Sequence, residues 1–313
     1  MAADLETNLD IWLQAIKYIG QFQKLFITGC PKSGTTWMQR CLNGHPNIVA
    51  NGEGRFAWRL FYNIQEAVRV FNEDQDKIGG SPLGKPSPAE AALVMRSFSD
   101  NVFLRYLNRG GKPASQVKIV ADKTPQHVLE AKSLRTLYPR ARFINIVRDP
   151  RDAAASSLFH FAKTDPRSTE QFLQSFISDT WRLHVEAAVN AEREMGTDVF
   201  LNIRYEDMHA DESKVLGRCL QHLGVDASDD SIRQCAEAGN FEKASGGRKR
   251  GEADNNSFFR NGTIGDWKNH LNKDLVERCC RPLADLMRRF GYSMEPAVSV
   301  SVYTQSIPRI AAA

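Results

Sequence analysis

The sequence predicts an α/β fold in which a parallel central sheet is flanked by helices. Three observations carry that expectation. Five short apolar runs recur along the 313 residues, each is followed by a helix-like segment, and the first runs straight into a glycine-bearing loop. Strands alternating with helices argue for a parallel sheet covered on both faces.

Taken in order, residues 5–19 place Leu5, Leu9, Trp12, Leu13 and Ile16 at helical spacing, an amphipathic N-terminal helix. "KLFITG" (24–29) reads as a short buried strand entering the glycine loop, and Thr35 to Leu42 opens a helix from that loop. Further strands are "NIVAN" (47–51), "VKIVAD" (117–122), "RFINIVR" (142–148) and "DVFLNIR" (198–204), with a helix beginning near Arg55. "DKIGGSPLGKPSP" (76–88) is dense in Gly and Pro and reads as a loop. The polar, Gly-rich stretch 245–267 is a second, longer one, and loops of that length are functional or disordered. No repeat or low-complexity tract divides the chain, so a single domain over residues 1–313 is expected.

A composition of 42% hydrophobic and 25% charged residues fits a soluble globular protein. The net charge of +4, from 41 basic and 37 acidic residues, suits a small anionic ligand better than a nucleic-acid duplex. Six cysteines, at 30, 41, 219, 235, 279 and 280, form no C-x-x-C pair. Reduced structural thiols are therefore expected, with no metal site. The N-terminus carries acids where a signal peptide has bases, and no apolar run approaches a bilayer span. The expected location is the cytoplasm.

Three segments carry chemistry. In "GCPKSGTTW", Gly29, Gly34 and Thr36 keep the spacing of G-x-x-x-x-G-K-[ST], but Thr35 fills the lysine slot and Lys32 lies inside the loop. Backbone N–H groups around Ser33 to Thr36, at a helix N-terminus, can cradle an oxyanion. In "INIVRDPRDAAASS", Arg148 ends a strand, Asp149 is placed as N-cap and Pro150 as first helical residue. Ser156, two turns on, can reach the region of Arg148, and an arginine with a hydroxyl makes a phosphate clamp. The competing reading pairs Arg148 with Asp149 or Asp152 on the surface. In "FFRNGTIGDWKNHL" (258–271), Arg260 and the amides of Gly262 and Gly265 form either a loop that folds over a ligand or a simple Gly-rich turn.

Together these segments resemble the sulfotransferases that use 3′-phosphoadenosine 5′-phosphosulfate (PAPS). "PKSGTTW" looks like their 5′-phosphosulfate loop, "IVRDPRDAAASS" like their 3′-phosphate segment, and "FRNGTIGDWKNHL" like their R-K-G-x-x-G-D-W-K signature. The resemblance implies a fold like that of P-loop nucleotide kinases, PAPS as cofactor with PAP as product, and no metal. It assigns Lys32, Ser33, Gly34, Thr35 and Thr36 to the phosphosulfate. Trp37 and Phe241 would stack on adenine, with Tyr205 lining it. Arg148, Ser156, Arg260, Asn261 and Gly262 would form the 3′-phosphate site, although Asn261 stands where the family has a lysine and so removes one cation. Asn240 likewise replaces a hydroxyl residue. Arg248 and Arg250 either add to the anion site or form a solvated basic run.

For the proton acceptor, cytosolic aryl and steroid members carry K-T-H, and here "DKTPQH" puts Pro125 at the histidine position. Tyrosylprotein sulfotransferases are the nearer resemblance. Their G-E-E and N-K-D-P segments resemble "NGEGRF" and "DKTP", which implies Glu53 as catalytic glutamate and Lys123 as sulfate-binding lysine. Glu53 can act as base provided burial raises its pKa towards neutrality. His127 is the alternative base, and Asp122 a structural partner for Lys123. The implied reaction is direct in-line transfer to a hydroxyl or amine of a small-molecule acceptor. Phe56, Trp58, Phe61 and Tyr62 are either apolar walls of its pocket or core residues of the helix beginning near Arg55. Residues 268–277 keep only the ends of the family's dimer segment, leaving a homodimer open. Two rival readings stand beside this one. A P-loop kinase or NTPase needs a lysine directly after Gly34, and a non-catalytic PAP(S)-binding protein needs no base.

Overall fold

The computed structural model describes residues 2–79, 84–161, 165–254, 257 and 259–294. Its sheet consists of β1 (Gln23–Gly29), β2 (Ile48–Ala50), β3 (Ile119–Lys123), β4 (Arg142–Val147) and β5 (Phe200–Arg204). The order is β2-β3-β1-β4-β5 and every pairing is parallel. All five strands lie within two residues of their expected bounds, and the N-terminal helix is Ala2–Ile19.

Both faces of the sheet are covered, so successive residues of one strand belong to different cores. Phe26 packs on one face with Phe103, Tyr138, Phe143 and Phe200. Its neighbours Leu25 and Ile27 pack on the other with Met38, Leu42, Ile144 and Ile203. Parallel register sets Phe26 beside Phe143 and Phe143 beside Phe200, and their rings stack at 5.2 and 5.6 Å. Aromatic pairs of that kind add to simple burial. Phe56 and Phe61 join this core, whereas Tyr62 is 64% exposed. They are therefore not pocket walls, because the helices Phe56–Phe61 and Tyr62–Lys77 turn that aromatic run into the interior or out to solvent. The Trp58 side chain and residues 80–83 of the Gly/Pro loop lie outside the described residues.

The strand order decides where a ligand fits. The chain leaves β1 towards β2 on one side of the sheet and leaves β4 towards β5 on the other. Their carboxyl ends diverge, and such a switch point opens a crevice. The loop Cys30–Gly34 and the segment from Arg148 both start there. Under Arg148, a third cluster built on Ala153, Ala154, Ala155 and Trp181 lets the helix Pro150–Phe161 pack closely. Trp181 Nε1 donates to the Arg148 carbonyl at 2.8 Å. All six cysteines are buried and unpaired, and no described helix is long and apolar enough to cross a membrane.

Candidate active site

A cavity of about 330 Å³ occupies the crevice, and Lys32, Gly34, Thr35, Thr36, Trp37, Glu53, Lys123, Arg148, Ser156, Tyr205, Phe241, Arg260, Asn261 and Gly262 all line it. Among the described residues only two non-glycines have positive φ, Lys32 (68°) and Arg55 (52°), and both are on its wall. Strained backbone of this kind clusters at functional sites. Gly34 has φ 98° and precedes the helix Thr35–Asn43, which has no side-chain cap. A Cβ at Gly34 would sit 2.5 Å from Tyr205 Cδ2, so the position admits only glycine. The amides of the first helical turn are free of a side-chain cap and can receive an anion. Burial, with Arg148, Lys123 and Arg260 nearby, pushes the Lys32 ammonium down to about 8. Ser33 departs from expectation. It is fully buried behind the loop, off the cavity wall, with its amide donating to the Cys30 carbonyl at 3.1 Å.

Arg148 holds the two loops together. Its Nη1 donates to the Lys32 carbonyl at 3.1 Å and its Nη2 to the Thr263 carbonyl at 3.2 Å. The guanidinium lies 4.2 Å over the Tyr205 ring. Neither acid of the competing reading takes it, because Asp149 pairs with Arg151 at 2.6 Å and Asp152 accepts the amides of Gly265 and Trp267 at 2.7 and 3.0 Å. Those amide bonds latch the 259–267 segment onto the helix Pro150–Phe161. Arg260 pairs with Asp266 and lies 4.6 Å over Phe159. The Nε of Arg148, the Nε of Arg260 and Oδ1 of Asn261 are buried without a hydrogen-bond partner. Gly262, at φ 67°, leaves no room for a Cβ, which would stand 2.7 Å from Phe241. Asn240 caps the short helix Phe241–Ala244 through the Lys243 amide. Arg248 donates to the carbonyls of Phe259 and Arg260, while Arg250 turns into the cavity.

At the other end, Lys123 Nζ donates to Glu53 Oε1. Glu53 Oε2 accepts from Arg55 Nε and Nη2 at 3.0 and 2.8 Å. Burial alone would raise the Glu53 pKa, but hydrogen bonds from Lys123 and Arg55 outweigh it and hold the carboxyl below the usual range. The expected rise towards neutrality is absent for that reason. His127 is no base for this cavity. It is fully buried, with Nδ1 3.1 Å from Asp122 Oδ1 and Nε2 accepting the Ala57 amide at 3.3 Å. Asp122 is likewise not the partner of Lys123. It accepts from the Gly54 amide at 2.6 Å and Tyr106 at 2.9 Å, which anchors the turn that carries Glu53.

Residues 24–229 match the model of the Sulfotransferase family, about two thirds of the chain. The chain belongs to that family. It is 28% identical over 199 residues to sulfotransferase 2A6 of Rattus norvegicus, covering 57% of this chain and 67% of that one. It is 23% identical over 216 residues to protein-tyrosine sulfotransferase 2 of Gallus gallus, covering 68% of this chain and about half, 54%, of that protein. Mouse sulfotransferase SULT7A1, solved with PAP, shares the fold at a TM-score of 0.53 with 20% identity, over 88% of this chain and 91% of that one.

The wall residues of this sulfotransferase left unassigned in the sequence include Arg55, Gln126, His160 and Phe161. A signal existed for His160. It lies four residues after Ser156 on one helix, and such residues share a face. Burial and the Lys32 charge lower its pKa, with Glu53 opposing. Among the described residues no group of three or more His, Cys, Asp or Glu is arranged to hold a metal ion.

Proposed function

We propose that this sulfotransferase carries the sulfuryl group of PAPS to a hydroxyl or amine of a small-molecule acceptor, in the cytoplasm. One observation supports the nucleotide most. A single cavity gathers Lys32, the uncapped helix amides, Arg148 and Arg260, and both arginines keep a buried Nε with no acceptor. An unsatisfied buried donor costs about 1–3 kcal/mol, which a bound phosphate offsets. Gly34, Thr35 and Thr36 with Lys32 would hold the 5′ end, and Arg148, Ser156, Arg260 and Gly262 the 3′-phosphate. Trp37, Phe241 and Tyr205 would hold the base ring. Thr35 stands where a P-loop kinase needs its lysine. The six buried, unpaired thiols fit a reducing compartment.

PAPS supplies an activated sulfuryl group, already prone to in-line displacement. Lys32 and Lys123 neutralise the charge that develops as the bond breaks. Glu53 takes the acceptor proton. In the free enzyme Lys123 weakens Glu53 as a base, since an ion pair favours the carboxylate. Lys123 turns from Glu53 to the sulfuryl end, and the proton affinity of Glu53 rises with that move. The base is thus activated only in a loaded site. Arg55, Gln126, His160 and Phe161 line the cavity beside Glu53 and Lys123 and would meet the acceptor there.

The test is transfer from labelled PAPS to a panel of phenols, alcohols and amines. A labelled product is expected, and Lys32→Ala should lower its rate about 10²–10³-fold. Wild-type turnover in Lys32→Ala would defeat the assignment. PAP binding with no transfer to any acceptor would favour the non-catalytic reading instead.

A further inference from the structure

Arg248 and Arg250 belong to one short basic run, yet they face opposite ways. Arg248 is tied down by loop carbonyls. The Arg250 guanidinium carbon stands 4.4 Å from the Trp37 ring centroid and 5.2 Å from that of Phe241. Its Nη1 donates to the Gly262 carbonyl at 3.3 Å and to His209 Nε2 at 3.2 Å. Burial, Arg250 and Arg148 push His209 down to about 3, so its ring is neutral and free to accept that bond. A cation facing two aromatic rings is held by their quadrupoles, at an energy comparable to one good hydrogen bond. A planar guanidinium therefore fills the slot that the nucleotide's base ring would use.

Two further facts bear on what Arg250 does. Glycines lie close to both rings: a Cβ at Gly239 would meet Trp37 at 3.2 Å and one at Gly262 would meet Phe241 at 2.7 Å. The guanidinium against both rings stands where the base ring would lie, so that ring enters as the arginine leaves. The second fact is charge. Asn261 contributes no cation to the phosphate site, and the carbonyl that Arg250 holds belongs to Gly262, the next residue.

We propose that Arg250 selects the nucleotide: it occupies the Trp37–Phe241 slot in the free enzyme, withdraws when the base ring enters, and then pairs with the 3′-phosphate in place of the cation that Asn261 does not supply. The proposal rests on the nucleotide reading above. It separates two effects of one side chain. Removing Arg250 takes away a competitor for the slot, which helps every adenine nucleotide alike. It also removes a phosphate contact, which harms only a nucleotide bearing a 3′-phosphate.

The experiment measures the affinities of PAP and of 5′-AMP for the wild type, Arg250→Ala, Arg250→Gln, Asn261→Lys and the double variant Arg250→Ala/Asn261→Lys, with melting curves to confirm folding. The preference of the wild type for PAP over 5′-AMP should fall about 10–100-fold in Arg250→Ala and Arg250→Gln, the range for a charge-assisted hydrogen bond. Asn261→Lys should restore it in the double variant. An unchanged preference in both Arg250 variants, or an equal gain for both nucleotides, overturns the proposal while leaving the nucleotide site standing. A wild type that binds neither PAP nor 5′-AMP removes the site itself.

Discussion

At one end of the cavity Arg148 and Arg260 each keep a buried Nε without a partner, while at the other Glu53 is held between Lys123 and Arg55. Arginines stand at both ends, but Arg148 and Arg260 each leave an Nε over, whereas the Arg55 Nε is bonded to Glu53. The nucleotide end is assembled in advance, because Arg148 is oriented by two backbone carbonyls, Trp181 and Tyr205 before any anion arrives. Donors fixed in this way need no reorganisation when a charge appears. At the other end Glu53 is paired with both Lys123 and Arg55. On the proposed mechanism, a preformed anion site thus sits beside a base that a bound ligand must release from its lysine.

Breaking the acceptor end should give the largest effect. Glu53→Gln is expected to lower turnover about 10²–10⁴-fold, the usual range for a general base, with PAP affinity equal or higher because Lys123 is released. Lys123→Ala should lower turnover about 10²–10³-fold with PAP affinity held within about threefold, read by single-turnover rates beside calorimetry. If PAP affinity fell as far as turnover, the two ends would not be separate. Arg148→Ala reverses the pattern, with PAP affinity down about 10–100-fold, the loss expected for one charge-assisted contact, checked by calorimetry on protein whose melting curve shows it folded.

A smaller effect comes from pH. Lys32 titrates near 8 in the free protein, below its ordinary 10.5. A bound anion favours the charged form and returns the pKa upwards, so binding between pH 8 and about 10 takes up a proton. PAP affinity should therefore fall above pH 8, by at most about tenfold per unit. Calorimetry in buffers of different ionisation enthalpy reads the proton directly, and a pH-independent affinity up to pH 10 would contradict it.

Legibility in the sequence followed the range of the forces involved. Lys32, Gly34 to Trp37, Arg148 and Ser156 line one cavity because a strand, a tight loop and a helix start fix them locally, whereas Ser33 is turned behind its loop. Ser156 and His160 share a helix face, so His160 was readable too, though unassigned. His127 was not. Its burial depends on the turn Pro125–Glu130 packing against Phe26 and Phe56, which lie far away in the chain. Glu53 shows the same limit, since its pKa is set by Lys123, 70 residues on, as much as by Arg55 beside it. Arg248 and Arg250 differ only in the tertiary contacts of one loop, which residue type and spacing do not encode.

The most direct measurement is a calorimetric titration of PAP into the purified protein, alone and with magnesium-ATP as competitor. One PAP per chain is expected, with magnesium-ATP failing to displace it at equal concentration. Displacement by magnesium-ATP, or its binding where PAP gives no heat, would contradict a site built for a 3′-phosphorylated sulfuryl donor.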